Sequence, residues 1–484
     1  MQKQKSLIVN FITNTVLTIS SFIFPLITFP YISRILRPEG IGKVSFAASV
    51  VSYFAMFAQL GIPVYGIRAC AIVRDDREEL SRTVHELFFI NLWMSLFSYG
   101  ILFIGIISVP RLRQEKELFL IISLTIIFNM LGMEWLYKAL EKYAYIAGRS
   151  IICKLLALGG MFLLVHGPDD YICYGALTIF AASASNIFNL LHVHKYIAVS
   201  FLGAYKLKRH FKAVAVFFAM SCATTIYTNL DTVMLGFMES DTEVGYYNAA
   251  VKIKLILVSI VTSLGTVLLP RVSYYAENGF WDEFRRIASK AINFVFIVAM
   301  PLCVYFMLFA GESIYFLSGD AYGGSVAPMQ IIMPTLLLIG LTNVMGIQML
   351  VPVGKEKYVL YSEVAGASVD FMLNVLLIPR FAAAGAALGT LAAEAVVFGG
   401  QLCFLRKEVK ELYSHIRYEA LLTASLIGVP ACVWVKLCDW NAFMTLAVSA
   451  VIYFGMYAVL LCIMREPLTV EMKDKILGKL ISRK

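Results

Sequence analysis

The sequence predicts an all-α membrane protein of about fourteen transmembrane helices. Three observations carry that reading. Apolar residues make up 60% of the 484 and charged residues only 15%. Mean hydropathy is +0.77, and the apolar residues gather into runs of 20 or more. A soluble chain carries about a quarter charged residues, whereas a run of roughly 20 covers about 30 Å of hydrocarbon. Lipid offers a backbone amide no partner, so each run is helical.

The expected spans lie at 6–32, 42–65, 83–108, 117–137, 146–165, 169–191, 212–236, 245–269, 287–310, 325–352, 358–379, 382–404, 418–437 and 441–464. The first follows a basic N-terminus (Lys3, Lys5). Its run from Ser6 to Tyr31 is too long for a signal peptide and lacks a small-x-small cleavage site, so it is expected to remain as a helix. It carries Asn10, Asn14 and Thr18 on one face, then Pro25 and Pro30, a polar stripe on a bendable helix. Against these spans, 30 Lys and Arg fall on the side of the N-terminus, 8 on the opposite side and three within helices (Lys154, Lys252, Lys254). The positive-inside rule then places both termini in the cytoplasm. No connection is long enough to fold as a domain. Two basic amphipathic stretches, Gly279–Lys290 and the tail 467–484, are expected to lie on the anionic cytoplasmic leaflet. Nine single cysteines without a CxxC pair read as packing residues, and nothing points to nucleic acid.

An internal repeat organises the spans. Asn129-Met-Leu-Gly-Met-Glu-Trp-Leu136, ending in Glu141-Lys-Tyr143, recurs as Asn343-Val-Met-Gly-Ile-Gln-Met-Leu350, ending in Glu356-Lys-Tyr358, at an offset of 214 slipping to 215. Gly42, Ala47 and Arg68 match Gly245, Ala250 and Arg271 at 203. The expected domains are therefore a six-helix bundle at 1–205, a second at 206–405, two further helices at 406–466 and the tail at 467–484. Six being even, both copies share one orientation. Two parallel bundles around a central cleft is a transporter plan with substrate held between the repeats.

Several segments resemble a family. Leu36-Arg-Pro-Glu-Gly-Ile-Gly42, Gly61-Ile-Pro-Val-Tyr-Gly-Ile-Arg68, Trp135-Leu-Tyr-Lys-Ala-Leu-Glu-Lys-Tyr143, Gly265-Thr-Val-Leu-Leu-Pro270 and Asn374-Val-Leu-Leu-Ile-Pro379 with Gly385-Ala-Ala and Ala393-Glu394 look like bacterial polysaccharide repeat-unit flippases. These are the O-antigen and capsule (Wzx-like) translocases of the superfamily that includes multidrug-and-toxin extruders and the lipid II flippase. The resemblance covers nearly the whole chain in order. It implies a MATE-like fold and a substrate, undecaprenyl-diphosphate-linked oligosaccharide, moved from the cytoplasmic to the outer leaflet of the bacterial inner membrane. Polysaccharide polymerases are the protein partners that such a pathway implies.

Ionisable side chains within spans are expensive, at about 2.5–3.5 kcal/mol on insertion scales, and so mark candidate sites. Lys252 and Lys254 sit seven to nine residues inside helix 8. Two residues apart, they point about 200° from one another, and Lys252 is preferred for the diphosphate, whose lost water a fixed cation replaces. The resemblance implies a functional cation on this helix ahead of Gly265–Pro270. Lys154 is the second candidate; Arg34 and Arg68, at helix ends, are candidate receivers of the diphosphate weighed against a role in orientation, and Asn10 and Asn14 complete the substrate-facing set. An ion pair of Lys252 with Asp231 is the rival for helix 8. Asp370 with Asn374, Thr390 with Glu394, and Thr224 and Thr228 with Asp231 each share a helix face. Their oxygens suit Na⁺ or H⁺ as coupling ion. Related flippases carry a sodium site on these helices, although the family more often has Asn where Asp370 stands.

Three functions compete. Transport by alternating access with cation antiport leads. An organic-cation extruder of the same fold would prefer acidic and aromatic lining to buried lysines. A membrane enzyme of polysaccharide assembly would need an extramembrane domain, and the chain holds no D-x-D metal site, no P-loop, and only a helix-end His192-x-His194. The protein is therefore read as a non-enzyme without a resident cofactor.

Overall fold

The computed structural model describes residues 2–198, 200, 203, 205–406, 413 and 416–470, with side chains at all of these except 2–12, 14–16, 18, 19, 22, 266 and 267. Among the described residues every regular element is helical. Ten helices are long and apolar enough to cross a membrane, or eleven if Asp320–Ile332 and Thr335–Leu350, bent by 47°, form one span. The chain is a multi-pass membrane protein.

That count is below the fourteen expected, and length accounts for the difference. Gln2–Gln59 runs 58 residues and Glu356–Phe404 runs 49, at least twice the roughly 20 that one crossing needs. Each is interrupted once. Arg37 takes φ 57 immediately before Pro38, whose ring disfavours helical backbone at the residue preceding it. Ala382 takes φ 47 three residues after Pro379. A further helix, Lys116–Gly132, has 17 residues and turns at Met133 (φ 40) into Glu134–Ala139.

The chain divides into two compact units, Met1–Gly245 and Tyr246–Lys484. In the first, Lys208–Met238 packs along Gln2–Gln59, so a helix that the repeat reading gives to the second bundle packs with the N-terminal one. The break at Arg37 abuts the start of Asp241–Glu277. A Cβ on Gly42 would lie 1.7 Å from the Asp241 carbonyl oxygen and 3.1 Å from the Gly245 nitrogen, and one on Gly245 would lie 2.0 Å from the Pro38 carbonyl oxygen. The two glycines matched at offset 203 thus meet each other, and backbone fills the space a side chain would need. Arg111 ties the same region, pairing with Asp241 and donating from Nε to the Gly236 carbonyl at 2.8 Å.

In the second unit, Tyr418–Val433 and Ala442–Ile463 pack as a pair against Trp281–Leu308. Tyr305, Phe309, Cys432 and Tyr453 form the buried centre of that contact, where the Tyr305 hydroxyl donates to the Leu446 carbonyl at 2.9 Å. The stretch 279–290, expected as a separate surface helix, is instead the first turns of Trp281–Leu308. No Gly or Pro interrupts it before Pro301, so the helix propagates. The tail beyond residue 470 lies outside the described residues.

Both copies of the repeated Asn-x-x-Gly motif depart from α geometry. The first breaks at Met133, and the second is wound as a π-helix over Asn343–Leu350. A Cβ on Gly132 would lie 2.4 Å from Asn186, and one on Gly346 would lie 3.0 Å from Gln401. Residues 186 and 401 differ by 215, the slipped offset of the motif. Each unit therefore sets an amide side chain on its motif glycine.

Candidate functional site

Lys154 lies on Tyr143–Leu164, opposite the first long helix. Its Nζ donates to Ser20 Oγ at 3.0 Å and Ser21 Oγ at 2.9 Å. Both serines spend their own protons on the Leu17 carbonyl, which leaves oxygen lone pairs for the ammonium. Among the described residues no carboxylate pairs with Lys154. A lysine has three donors, so one remains. Arg34 and Arg68 are both exposed; Arg34 Nη1 donates to the Pro30 carbonyl at 2.6 Å. The Asn10 and Asn14 side chains lie outside the described residues.

A cation the sequence reading left among the orientation charges is better held than any of these. Arg149, one turn into the same helix as Lys154, is buried. Its Nη1 donates to Ser185 Oγ at 2.7 Å and Asn186 Oδ1 at 3.0 Å, and Nη2 to Glu134 Oε2 at 3.0 Å. Glu134 also pairs with Lys138 at 2.8 Å. Its signal in the sequence was position: a guanidinium inside a span rather than in the loop before it. A second buried carboxylate went unmarked. Glu86, 0% exposed, accepts from the Lys206 backbone at 2.6 Å, Arg209 Nε at 2.7 Å and His210 Nε2 at 2.8 Å. His210 Nδ1 meets the Tyr65 hydroxyl at 2.8 Å. A Glu one turn into the span 83–108 was the clue.

In the second unit, Lys252 and Lys254 flank the buried stripe of Ala249, Ala250, Ile253 and Leu257, one on each side, as a spacing of two on a helix requires. Both are half-buried. Lys252 makes neither ion pair nor hydrogen bond among the described residues, whereas Lys254 has a partner.

The broken helix Glu356–Phe404 folds back on itself and buries Asp370, Asn374, Thr390 and Glu394. Gly389 explains the approach. A Cβ there would lie 2.4 Å from Asn374 Oδ1 and 2.9 Å from Asp370 Oδ1. Asn374 Nδ2 donates to Asp370 Oδ1 at 3.3 Å, and the Tyr247 hydroxyl meets Thr390 Oγ1 at 2.9 Å. Asp370 and Asn374 are thus brought against the turn that carries Thr390, with Glu394 one turn beyond Thr390. Asp231 is buried within the first unit. Thr224 and Thr228 do not share its surroundings: both are exposed and donate to their own helix, at the Met220 and Thr224 carbonyls, the back-bonding usual for a helical threonine. Among the described residues no three His, Cys, Asp or Glu side chains converge as metal ligands. The hairpin offers hard oxygen from amide, hydroxyl and carboxylate groups, which suits a small weakly held cation.

Comparison with known proteins follows the same lines. The family described as polysaccharide biosynthesis protein matches residues 7–276, and the MatE family matches 217–376. A protein of Escherichia coli (strain K12) described as a putative O-antigen transporter is 24% identical over 391 residues, 80% of this chain and 94% of its own. The lipid II flippase MurJ in an inward closed conformation superposes with a TM-score of 0.72 at 16% identity, over 95% of this chain and 99% of that one. An inward-facing multidrug resistance MATE family transporter of the MOP superfamily gives 0.56 at 14%, over 80% and 95%. At such identities the two structures speak for the fold, and all three similar proteins are named for transport rather than for catalysis.

Proposed function

Because this chain belongs to the polysaccharide biosynthesis protein family, we propose that it is a flippase carrying undecaprenyl-diphosphate-linked oligosaccharide from the cytoplasmic to the outer leaflet. The observation that carries the reading is Lys154. An ammonium within a span, held by two serine hydroxyls and by no carboxylate among the described residues, has one donor and its full charge to offer a partner that supplies negative charge. A diphosphate does so, and the unpartnered Lys252 supports the same reading from the second unit. The names of the similar O-antigen transporter and MurJ flippase favour a lipid-linked glycan as cargo.

Splitting the two long broken helices, joining the bent pair and counting Lys116–Ala139 gives fourteen crossings, with both termini in the cytoplasm by the distribution of Lys and Arg. The equivalent amides on Gly132 and Gly346 support two repeats and hence alternating access between them. Asp370, Asn374, Thr390 and Glu394 in the second unit are proposed as the seat of a coupling Na⁺ or H⁺, and Asp231 in the first unit as a separate coupling carboxylate. An inside-negative potential would favour export of the anionic headgroup by about 2.3 kcal/mol per charge per 100 mV. The basic tail is assigned to anionic lipid, and a polysaccharide polymerase is the natural recipient of the product. The MatE match over 217–376 favours a second reading, an organic-cation extruder, which unneutralised lysines oppose by repulsion.

Reconstituted vesicles decide between them. Translocation of undecaprenyl-diphosphate-linked oligosaccharide should be accelerated by an opposing cation gradient. No translocation of that lipid, with export of organic cations instead, would overturn the flippase reading. Translocation that ignores both ion gradients and the potential would overturn coupling alone.

A further inference from the structure

The N-terminal unit carries a partly open pocket of about 500 Å³ that the cationic constellation leaves unused. None of its sixteen lining residues is charged. Its polar groups fall in stripes: Ser221, Thr225 and Asn229 at four-residue steps on Lys208–Met238, Thr125 and Asn129 on Lys116–Gly132, and Gln59 at the end of Gln2–Gln59. Four-residue spacing aims such side chains along one helix face, so three helices turn hydrogen-bonding edges on one space.

Those edges keep hydrogen-bonding capacity in hand. Thr125 Oγ1 is buried without a partner. Gln59, Ser221 and Thr225 make no side-chain hydrogen bond among the described residues. Asn229 Nδ2 donates to the Thr225 carbonyl and Thr228 Oγ1, each at 3.0 Å, which leaves its Oδ1. Asn129 is held from behind: its Oδ1 accepts from Asn186 Nδ2 at 3.1 Å, while Asn186 Oδ1 accepts from Arg149 at 3.0 Å. The Asn129 amide donors remain for the cavity. A buried polar group without a partner costs free energy, so a ligand that reaches Thr125 Oγ1 and offers donors and acceptors to the half-buried Gln59, Ser221, Thr225 and Asn229 is a stabilising occupant. Between the stripes the walls are aliphatic, from Val51, Ile122 and Ile179.

Resting on the flippase reading above, we propose that this cavity is a glycan subsite, which holds uncharged sugar rings of the cargo while Lys154 of the same unit holds its diphosphate. Charge decides the class. A phosphate, a uronate or an organic cation would enter a site without a counter-charge, whereas neutral hexoses and N-acetylhexosamines match amide and hydroxyl edges and present C–H faces to aliphatic walls. Size agrees. A pyranose displaces roughly five waters of about 30 Å³ each, so the space admits two or three rings. Specificity for the repeat unit would then reside in Gln59, Thr125, Asn129, Ser221, Thr225 and Asn229.

The test uses Thr125→Leu/Thr225→Leu, which fills the space and removes two hydroxyls. Purified full-length protein is reconstituted in vesicles with undecaprenyl diphosphate bearing either a neutral trisaccharide or no sugar. The wild type should prefer the trisaccharide probe, and the variant should lose that preference by about tenfold, as expected for two hydrogen bonds. A free neutral trisaccharide, followed by saturation-transfer NMR, should contact the wild type and not the variant. An unchanged preference with no contact overturns the subsite and leaves the flippase standing. Contact without translocation of either lipid supports the subsite and overturns the flippase. If the double variant fails to assemble, Asn229→Leu alone is read by the same two measurements.

Discussion

Replacing Lys154 with methionine removes one ammonium while keeping an unbranched apolar stem of similar reach. The structure sets the size of the effect. Two of the three donors on Nζ are engaged by Ser20 and Ser21 at 3.0 and 2.9 Å, leaving one for a phosphate oxygen. A hydrogen bond to a charged group contributes about 1.5–3 kcal/mol, or roughly tenfold to a hundredfold in rate if made only as the headgroup enters. Stability should move the other way. The serines stay satisfied on the Leu17 carbonyl, and removing a lysine from a span relieves part of an insertion cost of about 2.5–3.5 kcal/mol. The expected signature is therefore a variant at least as resistant to thermal aggregation in detergent as the wild type, with vesicle translocation of lipid-linked oligosaccharide down ten- to a hundredfold. Lowered thermal stability with unimpaired translocation would refute the reasoning, because it would make Lys154 a structural residue.

Asp370→Asn keeps an acceptor for Asn374 Nδ2 and removes the carboxylate. The variant should fold and exchange substrate, yet lose acceleration by a cation gradient; a retained gradient response would discard Asp370 as a coupling residue. Glu86→Gln removes the anion that His210 and the Lys206 backbone face and leaves Arg209 with Glu79 alone; weakening hydrogen bonds to a buried charged group costs about 1.5–3 kcal/mol, so detergent-solubilised protein should unfold at lower temperature. Gly42→Ala places a methyl 1.7 Å from the Asp241 carbonyl oxygen; membrane abundance should fall sharply, while Gly148→Ala, which meets nothing within 4 Å, should be neutral.

The helical class and most of the spans were legible because a bilayer imposes one rule, length of apolar run, that a sequence displays directly. The hairpin oxygens were legible too. Spacings of four put Asp370 with Asn374 and Thr390 with Glu394, and Gly389 supplied the close approach that the spacing could not. What escaped was partnership across helices. Arg149 was counted with the orientation charges because its sequence neighbours reveal neither Glu134 in front of it nor Asn186 beside it. Glu86 drew no reading from the sequence, since its three donors arrive from residues 206–210. Thr224 and Thr228 were grouped with Asp231 by periodicity, which ignores how burial changes along a helix axis. The continuous start of Trp281–Leu308 was missed for the opposite reason, as amphipathicity suggested a boundary where the backbone has none.

The π-wound segment Asn343–Leu350 carries a mechanical implication. Its i→i+5 pattern, completed by the Val351 amide on the Gly346 carbonyl at 3.1 Å, stores one residue more than ordinary winding of the same length would hold. Passing that surplus along the chain needs no net loss of backbone hydrogen bonds. It turns whatever follows by about 100° and advances it by about 1.5 Å. The next helix begins at Glu356 and carries Asp370. The turn at 351–355, with Gly354 at φ 71, separates the two, so such a shift can be taken up there without melting a span.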